Sequence, residues 1–486
     1  MRSRKLCHNA PVARSGGFHV VVVGSGLAGL TCARALAAAG LRVTVITPAR
    51  RGRDGASHRV HGLAPWILLT APTVRGDSPQ RFLAELRRRG GGLGRPGLDE
   101  VYAEHAHRAV ETLATELDLN FLDDAPIRLP GDDLPRGRRL LPRHHGPLLA
   151  PLLQKCAALG VEVRERHVVV GLLTAVGRVA GVAVMPRGTA AVREVRADAV
   201  VLACGGAGAV FPCTTSPRWC CGSALALAHT AGVLLHHPHL TQALPVTATP
   251  PLFFPTSAAL VDGRLRIDGV TQPPVASLAE ATTLVAVAMR RGAAVELLPP
   301  PVWNGNMPAG VKASRALRRS GALPLRLALH HSVGGVAIDA WGRTSAPALY
   351  ACGEAAGGVQ GSRRTMGTGL LEAFIFGERA ARAVVQDLTK LGPAAEPDRQ
   401  ALVQQPHDVE RLAITMGAIL EPLTEIRPAA EVVEALAQLD AWSCGVGGVS
   451  GSLPGVADGA AAQAALRLAA ARVMLRSAAA AEGRGE

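Results

Sequence analysis

The chain has 486 residues, room for two to four domains at about 100–200 residues each. Hydrophobic residues make up 48% and charged residues 19%, so a large core can be buried and disorder is excluded as the main state. The net charge of +14 comes almost wholly from Arg, with Lys only at 5, 155, 312 and 390; no helix-turn-helix, aromatic platform or zinc-finger spacing accompanies it, so it reads as compositional bias and nucleic acid is not an expected partner.

In chain order, residues 1–17 are basic, with no apolar stretch behind them, and read as a disordered tail. His19 to Val23 is a Val run suited to a strand buried on both faces. Gly24-Ser25-Gly26-Leu27-Ala28-Gly29 follows, then an Ala-rich helix from Leu30 to Ala39 stopped by Gly40, then a second strand from Arg42 to Thr47. Strand, GxGxxG, helix and strand in succession form a dinucleotide-binding pattern. Gly24 permits the tight turn, Gly26 lets a pyrophosphate approach the backbone, and Gly29 lets helix pack on strand. The second strand is expected to end in Asp or Glu for the adenosine ribose; it ends Thr47-Pro48-Ala49-Arg50 instead.

A distant segment carries a second signal. His330 to Asp339 leads to Ala348-Leu349-Tyr350-Ala351-Cys352-Gly353-Glu354, a buried strand ending at an acidic turn. A Gly-rich loop runs to Arg364, and Gly367-Thr368-Gly369 opens a helix over Leu370 to Val384. A helix start after such a loop is an anion site, so Thr368, Gly369 and Leu370 are candidate cofactor contacts. The Cys at 7, 32, 156, 204, 213, 220, 221, 352 and 444 are scattered without a CxxC, as reduced thiols of a cytoplasmic protein would be. His144-His145, His236-His237 and His407 show no metal-ligand spacing, so no metal is expected. No run of about 18 apolar residues occurs, so no membrane span is expected.

Together these segments resemble the succinate dehydrogenase, fumarate reductase and L-aspartate oxidase flavoprotein family. Its HYTMGG, LYAxGE and GANRxxxNSLLE patterns are similar to HHSVGG (330–335), LYACGE (349–354) and GSRRTMGTGLLE (361–372). The resemblance implies FAD, bound by Gly24, Ser25, Gly26, Leu27, Ala28, Gly29, Thr47 and Gly62, with Glu354 on an FAD ribose and the helix start near Thr368 polarising the flavin. Arg364 matches the family's substrate-carboxylate Arg, and His330 its substrate-binding His. Within the family the L-aspartate oxidase branch fits best. It also has Thr at the end of strand two, and its segments resemble Asp77-Ser78-Pro79, Gly90 to Leu93, a helix over Asp99 to Phe121, and Leu202 to Gly208. The helical spacing of Val409 to Trp442 and of Arg467 to Arg476 resembles its C-terminal helical domain.

The chain also departs from that pattern. His61 stands in the flavin loop where the family has Gly. Leu244 stands at the second substrate His in the gapless register, while a register with a deletion would use His237-Pro238-His239. The proton-relay RGEGA has no counterpart; only Arg264 and Arg266 lie near, and these also read as part of a hairpin around Asp262-Gly263. Asp132 falls near the family's acidic residue for the amino group. A covalent flavin link would need a His at Gly55, or His58 with a gap.

The implied architecture is α/β: a doubly wound, Rossmann-like FAD-binding domain in two parts (18–240 and 326–390), a small α+β capping domain (241–325), a linker and a C-terminal helical domain (400–486). The implied reaction is L-aspartate to iminoaspartate, with reoxidation by dioxygen or fumarate, in NAD biosynthesis with a hand-off to quinolinate synthase. The expected substrate is a small anionic amino or dicarboxylic acid. Two alternatives stand beside it: a divergent flavin enzyme for another amino or carboxylic acid, and a flavin-binding protein with little catalysis. Whether Arg264 or Arg266 points at the flavin separates them.

Overall fold

The structure, a computed structural model, describes residues 17–58, 66–189, 191–248, 257–300 and 319–402, and near the C-terminus 467, 470–471, 473–478 and 480. The flavin loop with His61 and Gly62, the tail and the helix expected over 409–442 lie outside the described residues.

At the centre is a five-stranded parallel sheet in the order Leu349–Ala351, Ala199–Leu202, His19–Val23, Arg42–Ile46, Glu162–Arg164. All five residues of the His19–Val23 strand are buried, as expected of a strand covered on both faces. The first helix spans Leu27–Ala38, so it begins inside the GxGxxG rather than after it. It packs against a long helix, Gly369–Leu391, which runs a full turn and more beyond the expected end at Val384. The two backbones approach closely at Gly377, where a Cβ would lie 2.8 Å from Ala28 O. Ala, Leu and Val dominate the core around this pair.

Three antiparallel sheets surround the centre. One joins Arg399–Leu402, His167–Ala175, Arg178–Pro186 and Arg193–Arg196. Another joins Ile67–Thr70, Gly137–Pro142 and Leu119–Phe121. The segment expected as one helix over 99–121 is therefore a helix, Leu98–Glu116, followed by a strand. Asp118 turns the chain with φ +52, a conformation that Asp tolerates better than most residues. The third sheet is built from Thr241–Thr247, Leu323–Ser332, Val295–Leu298, Arg264–Ile267 and Val270–Thr271, with the helix Leu278–Arg290 on it and its own core. The hairpin turn falls at Asp268-Gly269, where both residues have positive φ, and not at Asp262-Gly263. Residues 257–262 instead form a short helix.

Ser78 caps the helix Pro79–Arg89, accepting from Arg81 N at 3.2 Å, with Pro at the first helical position. Arg136, 1% exposed, is held between the carboxylates of Asp77 and Glu85. Buried charge is tolerated there because it is paired.

Candidate active site

A cavity runs along the C-terminal ends of the parallel strands, from Pro48 and His167 at one end to Arg364 and Gly369 at the other. That is where open α/β sheets bind ligands.

The glycine turn forms the middle of its floor. Gly24 has φ +113, and a Cβ there would sit 2.3 Å from Ala203 O. A Cβ on Gly29 would sit 2.1 Å from Gly24 O. Gly26, Leu27 and Ala28 are on the wall, and a Cβ on Gly26 would have nothing nearer than Ser57 Oγ at 3.8 Å. The surface beside Gly26 is therefore left open for a phosphate. The helix starting at Leu27 aims its amides there.

Ser25, Gly29 and Thr47 are not on the wall. Gly29 serves helix packing, while Ser25 and Thr47 act through a residue that sequence reasoning missed. Asp54, 5% exposed, reaches back from the next loop and lies on the wall. It accepts from Ser25 Oγ at 2.8 Å and from Thr47 Oγ1. Nothing in the local pattern signalled it.

At the other end, the strand Leu349–Ala351 delivers Glu354 to the wall. Glu354 accepts from Ser332 N at 2.9 Å, and His331 Nδ1 lies 3.5 Å from the same oxygen. Gly206 is required opposite, since a Cβ would meet Glu354 Oε1 at 2.4 Å. Burial pushes the Glu354 carboxyl up to about 7. His330 Nδ1 is 2.9 Å from Thr215 Oγ1. Burial and then the Arg364 charge push His330 down to about 3, so its imidazole is neutral.

Arg364 is 8% exposed, and its Nε has no hydrogen-bond partner among the described residues. Gln242 Nε2 holds its backbone carbonyl at 2.9 Å. Gly369 leaves room for it: a Cβ would be 3.1 Å from Arg364 Nη1 and 3.7 Å from His331 Cε1. Gly369 and Leu370 are on the wall, whereas the Thr368 hydroxyl turns away and donates to Thr365 O at 2.6 Å. An open glycine cradle at the centre and, at one end, a buried cation whose Nε has no partner among the described residues fit a dinucleotide that carries a reactive ring next to an anionic substrate.

The sequence profile of an FAD binding domain matches residues 19–272 and 309–370. L-aspartate oxidase from Streptomyces coelicolor is 33% identical over 402 residues, covering 74% of this chain and 67% of the relative. The chain belongs to the FAD-binding flavoproteins, in their L-aspartate oxidase branch. The L-aspartate oxidase of Caulobacter vibrioides is 30% identical over 413 residues, 77% of each chain. The fold is similar to that of a quinol-fumarate reductase (TM-score 0.79, 19% identity, 96% of this chain and 91% of that one). It is also similar to that of Mycobacterium smegmatis Sdh1 (TM-score 0.75, 23% identity, 96% and 86%). The cofactor of this flavoprotein is FAD, and it is an FAD-dependent oxidoreductase. No helix among the described residues is long and apolar enough to cross a membrane.

Several of the flavoprotein's departures can now be placed. Leu244 is buried opposite Ala328 in the antiparallel sheet and is not on the cavity wall. His237 and His239 are not on the wall either; their rings meet edge to face at 5.7 Å. Neither register therefore brings a second His to the described wall. Arg264 donates to Gly263 O, and Arg266 pairs with Glu296 at 2.7 Å; neither reaches the cavity, so the expected sign of catalysis is not found at these two residues and the enzyme class rests on the relatives. Asp132 pairs with Arg89 at 2.7 Å within the ion network around Glu85, also off the wall. Gly55 is on the wall and His58 is not. Trp219, on the wall, was not anticipated. Arg187 and Arg218 lie 4.8 and 4.7 Å from its ring centre, and Arg187 also donates to Pro48 O.

Glu372, 5% exposed in the first turn of the Gly369–Leu391 helix, accepts from Gln360 Nε2 at 3.3 Å. Burial raises its carboxyl from 4.5 to about 7. The native chain therefore holds this proton more tightly than the unfolded one. The stability this contributes is fully present below about pH 4.5 and is lost as pH rises to about 7. Glu372→Gln should match wild type in urea unfolding at pH 4.5. At pH 8 it should exceed wild type by up to about 3 kcal/mol. A difference that does not change with pH would refute the assignment.

Proposed function

We propose that the chain is an L-aspartate oxidase: it removes two electrons and two protons from L-aspartate to give iminoaspartate, and dioxygen or fumarate takes the electrons. Arg364 is the observation that carries this reading. A buried guanidinium whose Nε finds no partner among the described residues is costly, and a substrate carboxylate is the planar anion that satisfies it. Each such charge-assisted contact is worth roughly 1.5–3 kcal/mol. Neutral His330, held at Nδ1 by its hydrogen bond with Thr215 Oγ1, is assigned to the same carboxylate. FAD, when bound, supplies the hydride acceptor. The start of the helix at Gly369 offers its amides and positive dipole end where negative charge builds up. Glu354, on the wall with one oxygen already accepting from Ser332, is assigned to the ribityl hydroxyls of FAD, because the single ribose of FAD belongs to its adenosine.

The domain division follows from the same reading: an FAD-binding domain in two parts, a cap formed by the sheet around 241–325, and a C-terminal helical domain. A cytoplasmic location and a hand-off of the labile imine to quinolinate synthase go with it.

A second reading, another amino or carboxylic acid as substrate, is favoured by one observation. Among the described wall residues Arg364 is the only Arg or Lys, whereas aspartate has two carboxylates to hold. Anaerobic addition of L-aspartate to the purified yellow protein tests both. Loss of the flavin band at about 450 nm supports aspartate oxidation. Bleaching only by a monocarboxylic amino acid moves the assignment to the second reading. No bleaching by any acid sinks both.

A further inference from the structure

We infer that Asp54 is the acceptor for the adenosine ribose of FAD, standing in for the acidic residue that the second strand lacks. In dinucleotide folds a carboxylate at the tip of that strand takes the ribose hydroxyls. Here the tip is followed by Thr47, and Asp54 arrives from the loop beyond it. Thr47 Oγ1 and Ser25 N donate to Asp54 Oδ2, the latter at 3.4 Å, and Ser25 Oγ donates to Oδ1 at 2.8 Å. Ser25 Oγ in turn accepts from Gly52 N at 2.9 Å. The loop is thus tied to the glycine turn at both 52 and 54, and the carboxylate is fixed at the strand tip.

A carboxylate offers about four acceptor positions. Three are taken by Thr47 and Ser25, which leaves one on the cavity side. Asp54 lies on the wall with Gly26 and Pro48, and no cation pairs with it among the described ion pairs. A buried, unpaired carboxylate favours neutral donors over anions. Ribose hydroxyls are such donors. The pyrophosphate belongs instead at the helix start, where Leu27 N donates to Ser57 Oγ at 3.3 Å and the helix dipole favours negative charge.

The full chain, stripped of flavin, is titrated with ADP and with 2′,3′-dideoxy-ADP, following the fluorescence of the wall residues Trp66 and Trp219. Wild type should prefer ADP by roughly tenfold or more. Asp54→Asn should bind ADP and FAD roughly ten- to a hundredfold more weakly, with dideoxy-ADP unchanged, so that the preference collapses. Equal losses for both nucleotides, or a preference that survives, overturn the proposal and leave Asp54 as a loop tie. Because Asp54→Asn can also loosen that loop, the wild-type comparison stands alone: a wild type that binds both nucleotides equally, or neither, overturns the proposal without any variant. These readouts are binding constants, so failure of aspartate turnover does not affect them.

Discussion

Arg364→Gln is expected to lower kcat/KM for L-aspartate by roughly a hundred- to a thousandfold while the purified variant stays yellow. The side chain is buried and its Nε is unsatisfied among the described residues, so it is held ready for an anion at a cost the bound substrate relieves. Gln keeps much of the volume and a donor but loses the charge and the planar fork. Arg364→Lys should recover little, because a point ammonium cannot make two parallel bonds to a carboxylate. FAD retention is expected because the glycine turn and its helix, at the centre of the cavity, are untouched. Oxygen-uptake kinetics and the visible spectrum of each variant check the two halves separately. A variant with wild-type kcat/KM removes Arg364 from the site, and a colourless one makes its role structural.

Gly24→Ala has the largest expected effect on the folded state. Its φ of +113 lies where an L side chain is strained, and the new Cβ would be 2.3 Å from Ala203 O and 2.7 Å from its carbonyl carbon. Both are backbone atoms of the loop leaving a central strand, so neither can rotate away. Strain and clash together should cost about 3–5 kcal/mol. Any relief moves the turn off the phosphate position, so FAD should be lost as well. Gly40→Ala is the control: its φ is +84 but nothing lies within 4 Å of a Cβ. That variant should cost only about 1–2 kcal/mol and keep its flavin. Thermal unfolding and flavin content of the two variants test this pair, and similar behaviour in both would assign the effect to φ alone.

Much of the fold was legible because its causes are local. A buried Val strand, a turn that only Gly can make and an Ala-rich helix are each dictated by neighbours in sequence, and the structure shows them within a few residues of the expected bounds. The helix after 368 was legible for the same reason, although its end was not. It continues past Val384 because Leu388 still finds core to bury against. The strand Leu119–Phe121 is not legible in the sequence, because three residues carry no clear period and only pairing with Gly137–Pro142 decides their conformation.

The cavity wall divides in the same way. Composition and motif by themselves determined a dinucleotide-binding α/β chain, since turn geometry and helix starts are properties of contiguous residues; Arg364 and His330 were pointed to by the family resemblance. Only the tertiary structure decided which polar side chains share that wall. Asp54 reaches it because Ser25 and Thr47 donate to it across a loop. Thr215 lies against His330 from 115 positions away. Arg266 was a candidate by sequence distance, yet it turns to Glu296 on the neighbouring strand. Such pairings depend on where a carboxylate from another element falls once the sheets have packed, and that information is not carried by the spacing of residues along the chain.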